Sequence, residues 1–370
     1  MALIPGSTTN QSPIIVCGLG IIGLTTSIRL LEAGYQVIAI TAQTPDSPLT
    51  PYYASSAAGA HHLSFAADND HIQRSLDRRT FDVMWKEEEE EGDASGLMRV
   101  PQHEFYGNTD EKHLQFFETL PDFKVYEEHE RPPFAKHAVS FTTLTMEPLI
   151  YLEKLMHRFK ELGGFLHLGT LTSLSDALNY LSPDTPDPRA IVNCTGLGSL
   201  KLKEVLDTNV HPIRGQVVVI RAPWIKEGRT KQIGKIDGGQ RTYIIPRRSG
   251  EVVIGGTREV DDWEEEPRPQ TTVDIKQRAV ELYPELVPES KRVAGQQPDP
   301  KDLIVVRVAV GLRPARKGGL RLERGDDLIV SERKIPVLHN YGHSGAGWQS
   351  SWGCAEKIIG LVKDLEVVKD

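Results

Sequence analysis

Residues Ile14–Tyr35 read IIVCGLGIIGLTTSIRLLEAGY. The apolar run Ile14–Cys17 predicts a buried parallel strand, and it passes directly into Gly18-x-Gly20-x-x-Gly23. Ile21, Leu24, Ile28 and Leu31 then recur at helical spacing until Gly34 stops the pattern. Each glycine answers a physical need. Gly18 permits the tight turn, Gly20 lets backbone approach a pyrophosphate, and Gly23 lets the helix lie close on the strand. Unpaired N–H groups and the positive dipole end of the helix then face the phosphates. A second strand over Gln36–Ile40 completes the start of a βαβ unit, the context that gives this motif its meaning.

Working outward, 370 residues suffice for two domains around a sizeable core. Hydrophobic residues make up 39% and charged residues 25%, the balance of an ordinary globular chain. Lys plus Arg number 43 against 51 Asp plus Glu, and this net −8 argues against nucleic acid as a main partner. No apolar run reaches the roughly 20 residues of a membrane span. The opening MALIPGSTTNQS lacks the charged-then-apolar pattern of a signal peptide. Cys17, Cys194 and Cys354 lie in apolar or glycine-rich segments and read as buried fillers, and no metal-ligand spacing is present.

Strand two ends at Thr41-Ala42-Gln43, where dinucleotide folds usually place an acid for a ribose hydroxyl. Asp46 comes three residues late, so either Gln43 substitutes or that edge is built differently. The small run Ala54–Ala60 suits a backbone passing close to a bulky ligand, and His61 and His62 follow it. Residues 71–91 predict an amphipathic helix whose Glu87–Glu91 end is a solvated face, and Glu147–Gly163 a second helix. Ala190–Cys194 predicts a strand turning on Thr195-Gly196, which implies that the nucleotide domain returns after an insertion.

Thr242–Pro246 and Glu251–Thr257 predict a hairpin across Arg247–Gly250. A four-residue loop would oppose Tyr243 to Ile254 and place Arg241, Tyr243 and Arg258 on one face. Val308–Arg316 predicts an apolar strand delivering Arg313, whose fork suits a carboxylate, with a structural salt bridge as the alternative. The glycines of 342–347 precede a helix over Ser350–Leu365 and repeat the phosphate-loop logic.

GLGIIGL, VNCTGLGS, PIRGQVV, YIIP, GGTREVDDW, VGLRPAR and HNYGHSGAGWQSSWG, in this order, resemble the D-amino-acid oxidase family of FAD enzymes over about residues 14–362. The resemblance implies an α/β fold: a Rossmann-like FAD-binding domain built from discontinuous segments, plus a substrate domain with a large mixed β-sheet. The expected division is 1–61, 143–207 and 304–370 for FAD, with 62–142 and 208–303 for substrate. It also implies that Arg313 holds the substrate α-carboxylate, that Tyr243 hydrogen-bonds it, and that backbone near Gly345 accepts the amine. Gly18, Gly20, Ile21, Ile22, Gly23, Ser55, Ser56, Gly59, Ala60, Thr195, Gly196, Ser344, Gly345, Gly347, Trp348 and Gln349 fall at flavin-contacting positions.

The Gly255–Trp263 form, with Arg258, is similar to the acidic-substrate branch of that family, the D-aspartate oxidases, in which this arginine binds the side-chain carboxylate. Arg241, Lys235 or His61 is the expected second anchor. The implied reaction is oxidative deamination of D-Asp, D-Glu or N-methyl-D-Asp by hydride transfer to flavin N5, giving 2-oxo acid, ammonia and hydrogen peroxide. The alternative on the same residues is oxidation of neutral or basic D-amino acids, with Arg258 turned to solvent. Beyond it stand another flavin oxidase or dehydrogenase and a non-catalytic nucleotide binder. Implied partners are an acidic D-amino acid and oxygen, with no nucleic acid and no membrane, and a homo-oligomer is left open. Relatives are often peroxisomal, yet no Ser-Lys-Leu-type tail closes Glu366–Asp370, so a cytoplasmic location is the other expectation.

Overall fold

A computed structural model describes residues 12–108, 112–235 and 239–367. The leader reading of the first eleven residues and the tail reading at 368–370 fall outside them. In chain order the elements begin β1 (Ile14–Cys17), α1 (Ile21–Glu32), β2 (Val37–Thr41), α2 (Ala54–Ala57) and α3 (His71–Glu91). β3 (Leu97–Gly107), β4 (Lys124–Val125), β5 (His137–Met146), α4 (Pro148–Glu161), β6 (Phe165–Leu168) and β7 (Ala190–Asn193) follow. Next come β8 (Val210–Arg221), β9 (Gly228–Ile233), β10 (Gln240–Pro246), β11 (Glu251–Gly255), β12 (Glu259–Val260) and α5 (Pro269–Leu282). The chain closes with β13 (Val305–Arg316), β14 (Arg321–Arg324), β15 (Leu328–Val330), β16 (Arg333–Ile335), β17 (Val337–Tyr341) and α6 (Gly347–Val367).

Six strands form the first sheet in the order β14-β17-β7-β1-β2-β6, parallel except for the β14 edge. β1 is wholly buried because helices cover one face and a smaller apolar cluster the other, which is why it reads as an uninterrupted apolar run. Between β2 and β7 the chain leaves to build much of the second sheet, so the Rossmann-like half is discontinuous, as expected. The second sheet has nine strands in the order β12-β8-β11-β10-β9-β3-β5-β4, with β13 also on β8. It is mixed, since β3 runs parallel to β9 and antiparallel to β5. One face packs Ile244, Val252, Ile254, Val218 and Ile220 against Ile275 and Ala279 of α5. The other face carries Val217, Val219, Ile245 and Val253, with Tyr243 beside them.

α3 and α4 occupy the predicted segments, but the acidic end of α3 is not a solvated face throughout. Glu87 is buried and accepts hydrogen bonds from the Tyr151 hydroxyl at 2.6 Å and from Arg158 at 3.2 Å. Trp352 donates to the same tyrosine at 2.9 Å. A buried carboxylate is stable there because each of its oxygens meets a donor. The three cysteines are free and buried. No helix among the described residues is long and apolar enough to cross a membrane.

Candidate active site

A cavity of about 1400 Å³ runs from the Gly18–Gly20 turn to the Tyr243 face of the second sheet. That exceeds the roughly 300–1,000 Å³ of an ordinary single-ligand pocket and leaves room for a dinucleotide beside a small molecule. Its first end is a cradle that side chains would fill. Gly18 sits at φ +90°, and a Cβ there would stand 2.7 Å from the Cys194 carbonyl oxygen. A Cβ on Gly20 would stand 2.8 Å from Ser55 Oγ, which itself accepts the Ile21 N–H at 3.0 Å. α1 has no acidic residue in its first turn, so its positive end is uncompensated. Asn340 Oδ1, His61 Nε2 and His343 Nε2 are buried polar atoms of cavity-lining residues, without hydrogen-bond partners among the described residues. Burial pushes both histidines down to about 3, Arg241 and His62 contributing at His61, so each imidazole is neutral. Unmet polar atoms beside a glycine cradle and an uncompensated helix end fit a bound dinucleotide.

Of the residues expected at the flavin, Gly18, Gly20, Ile21, Ile22, Ser55, Gly59, Ala60, Thr195, Gly196, Ser344, Gly345, Gly347, Trp348 and Gln349 line this cavity. Gly23 and Ser56 do not. Gly23 lies behind the wall, where a Cβ would meet the Gly18 carbonyl, so its role is helix-to-strand contact. The Ser56 hydroxyl turns back to donate to the Tyr53 carbonyl at 2.9 Å. At the missing ribose acid, Gln43 lines the cavity, whereas Asp46 is off its wall and accepts from Thr44 at 2.6 Å.

The second end is built on β8, β10 and β13. The Tyr243 ring lies over a glycine pair, and a Cβ on Gly255 would stand 2.5 Å from its Cζ and 2.6 Å from its hydroxyl oxygen. That hydroxyl has no hydrogen-bond partner among the described residues. Arg313 donates from Nη1 to the carbonyls of Thr257 at 3.1 Å and Arg214 at 3.4 Å. No carboxylate of the described residues forms an ion pair with it, so the structural salt bridge is absent. Gly215 leaves the space its guanidinium occupies.

The hairpin register differs from the sequence expectation by one residue. Tyr243 opposes Gly255 and Pro246 opposes Val252, because Arg247 donates to the Glu251 carbonyl at 2.9 Å and leaves a three-residue loop. Gly250 at φ +84° supplies the left-handed position that such a loop uses. Ile254 therefore belongs to the α5 face. A second one-residue offset follows: Gly255 pairs with Val217, but Glu259 pairs with Arg214. Residues 256–258 thus oppose only Gly215 and Gln216, a β-bulge that inverts the alternation. The two offsets cancel. Arg258 lines the cavity on the Tyr243 face, exposed at its mouth.

Of the expected second anchors, Arg241 lines the cavity but is committed to the buried Glu104 at 2.8 Å, with its guanidinium 4.5 Å from the Phe65 ring centroid. Lys235 is exposed and off the cavity wall. His61 is on the wall with Nε2 unmet. Sequence reasoning missed Arg278, which lines the cavity while paired with Asp274 and donates to Thr242 Oγ1 at 2.6 Å. It took Gly215 as the start of a strand and part of a motif and gave it no role at the site, although a glycine inside a strand was the available signal.

A family model described as FAD dependent oxidoreductase matches residues 13–361. A D-aspartate oxidase of Cryptococcus neoformans var. grubii serotype A is 43% identical, covering 95% of this chain and 97% of that protein. A D-amino-acid oxidase of Fusarium vanettenii is 33% identical over the same shares. Among solved structures, glycine oxidase from Geobacillus kaustophilus aligns with a TM-score of 0.71 at 18% identity, covering 96% of this chain and 95% of that one, a likeness of fold.

Proposed function

Because the chain belongs to the FAD dependent oxidoreductase family and uses FAD, we propose that it is a D-aspartate oxidase, acting on acidic D-amino acids with oxygen as acceptor. D-Aspartate, oxygen and water would give oxaloacetate, ammonia and hydrogen peroxide. The observation that carries this reading is the pair of guanidinium-bearing residues on one cavity wall: Arg313, without a carboxylate partner among the described residues, and Arg258 at the mouth. Identity of 43% to a D-aspartate oxidase supports it.

In this reading the segments around Gly18, Thr195 and Gly347 hold the dinucleotide, and the second sheet holds the substrate. When bound, the flavin supplies the acceptor for two electrons and returns them to oxygen. Arg313 grips the α-carboxylate with its planar fork, and the free Tyr243 hydroxyl donates to the same group. Backbone at Gly345 accepts from the amine. Arg258 takes the side-chain carboxylate, so a neutral substrate, which lacks that contact, binds less well. His61 and His343, held neutral by burial, add no competing charge. Orientation rather than acid–base chemistry is the protein's contribution.

A peroxide-coupled panel of D-Asp, D-Glu, D-Ala and D-Met tests the proposal, with D-Asp turned over best. Arg258→Ala should cost D-aspartate at least about two orders of magnitude in kcat/KM and leave D-alanine intact or improved. Persisting D-aspartate turnover would remove Arg258 from the anchor role. A panel led by D-Ala or D-Met would favour the neutral-substrate reading.

A further inference from the structure

Arg214 is wholly buried, among the largest side chains so enclosed. A buried guanidinium is costly unless its N–H groups are met, and apolar residues of similar volume usually serve a core at least as well. All but one of its side-chain partners lie on a single stretch of chain, 259–266. Nη1 pairs with Glu259 Oε2 at 2.6 Å, Nε donates to the Glu264 carbonyl at 2.8 Å, and Nη2 to the Glu266 carbonyl at 2.7 Å and Gln216 Oε1 at 3.2 Å. Gln216 continues the seam. Its N–H donates to Thr257 Oγ1 at 2.9 Å, and its side chain bonds the backbone of Arg268 and the hydroxyl of Thr272. Glu259 is also held by Arg268 at 3.1 Å.

Arg258 stands between two residues that this seam ties to β8, Thr257 before it and Glu259 after it. The bulge that turns Arg258 toward the cavity is therefore tied to β8 at both ends, at Thr257 by the Gln216 main-chain N–H and at Glu259 by the Arg214 side chain. On the cavity face, Arg313 rests on the carbonyls of the same Thr257 and of Arg214. One strand thus sets the distance between both guanidinium groups.

We propose that Arg214 is a positioning residue for substrate selectivity: by pairing with Glu259 it holds the 256–258 bulge so that Arg258 faces the cavity at a fixed separation from Arg313. This rests on the D-aspartate oxidase reading. Arg214 never touches substrate. Its contact with Arg313 is through the main-chain carbonyl, which any substitution keeps. Loss of its side chain should then loosen the side-chain anchor and spare the α-carboxylate grip.

The test uses the FAD-loaded full chain, comparing Arg214→Lys and Glu259→Gln with wild type. Lysine keeps the charge, but its single nitrogen cannot reach four acceptors arranged around a planar guanidinium. The expected result for both variants is a D-aspartate KM raised about tenfold with kcat within about threefold, and a D-alanine KM moved less than about twofold. Flavin content should be unchanged. Equal losses on both substrates, or a lowered Tm with the D-aspartate KM unmoved, would overturn the inference, because a purely structural role predicts those outcomes. If Arg214→Lys does not fold, Glu259→Gln decides alone. A wild type that prefers D-alanine removes the underlying reading as well, whereas a selective wild type whose variants keep its KM removes only the inference.

Discussion

The guanidinium of Arg313 occupies the volume that a side chain on Gly215 would need, so that a Cβ at 215 would stand 2.5 Å from Arg313 Cζ. Gly215 pairs with Gly311 across β8 and β13, and Arg313 pairs with Ile213, which makes them diagonal neighbours on one sheet face. The arginine lies flat along the sheet because its neighbour has no side chain.

Gly215→Ala should therefore damage binding more than folding. The obstructed atoms are the tip of a flexible side chain, which can swing away at little cost. With the fork displaced, KM should rise about tenfold or more for every D-amino acid, acidic or neutral, while Tm changes by only a few degrees. Steady-state kinetics with thermal melts check this, and an unchanged KM would show that the fork does not need this position.

The glycine pair under Tyr243 supports a graded comparison. Tyr243→Phe removes one hydrogen bond and should lower kcat/KM about fivefold to tenfold. Gly255→Ala pushes the whole ring off its seat, since its Cβ would meet the Cε2, Cζ and hydroxyl atoms. The alanine variant should be the worse of the two. Equal effects would mean that only the hydroxyl matters.

At the other end of the cavity, Gly18→Ala and Gly23→Ala meet backbone rather than a movable side chain. Both should purify with little bound flavin, read from the ratio of visible to ultraviolet absorbance. Ser55→Ala removes an acceptor for one helix-start N–H and should cost about 1 kcal/mol of stability with flavin retained. A yellow, stoichiometric Gly18→Ala protein would contradict the cradle.

Stability should climb between about pH 4 and 6.5. Burial lowers His61 and His343 to about 3, and His62 and His339 to about 4, whereas in the unfolded chain imidazoles titrate near 6.5. Across that window the unfolded state takes up the extra protons, so acid destabilises the fold, and above it the histidine contribution is flat. Asp77 opposes this. Burial raises it to about 7, so the native state keeps a proton that the unfolded chain sheds near 4, and its contribution is lost as pH rises toward 7. Melts at several pH values, with FAD in excess, should show a net rise, and Asp77→Asn should steepen it. A flat wild-type profile would contradict the burial of these imidazoles.

The central strand of the first sheet and its covering helix were legible in Ile14–Tyr35, because a strand, a glycine turn and a helix with these side chains satisfy local demands at once. Arg313 was also legible, since an arginine at the end of an apolar strand must find a ligand or an ion pair. Glu87 was not. A run of five glutamates looks solvated, and only the approach of Tyr151 and Arg158 from α4 shows that its first member is buried. Arg214 escaped notice for the same reason, three of its acceptors lying 45 or more residues away in a segment that reads as surface.

Arg258 marks the boundary between the two kinds of information. Local sequence determined the strands, their turn residues and the family, because those depend on neighbours a few positions apart. The face on which Arg258 emerges was decided by pairing: a tighter hairpin shifts the register by one, and the bulge opposite Gly215 and Gln216 shifts it back. Strand parity depends on hydrogen bonds to β8, some forty residues upstream, and no property of the GGTRE segment alone records how many residues β8 will set against it.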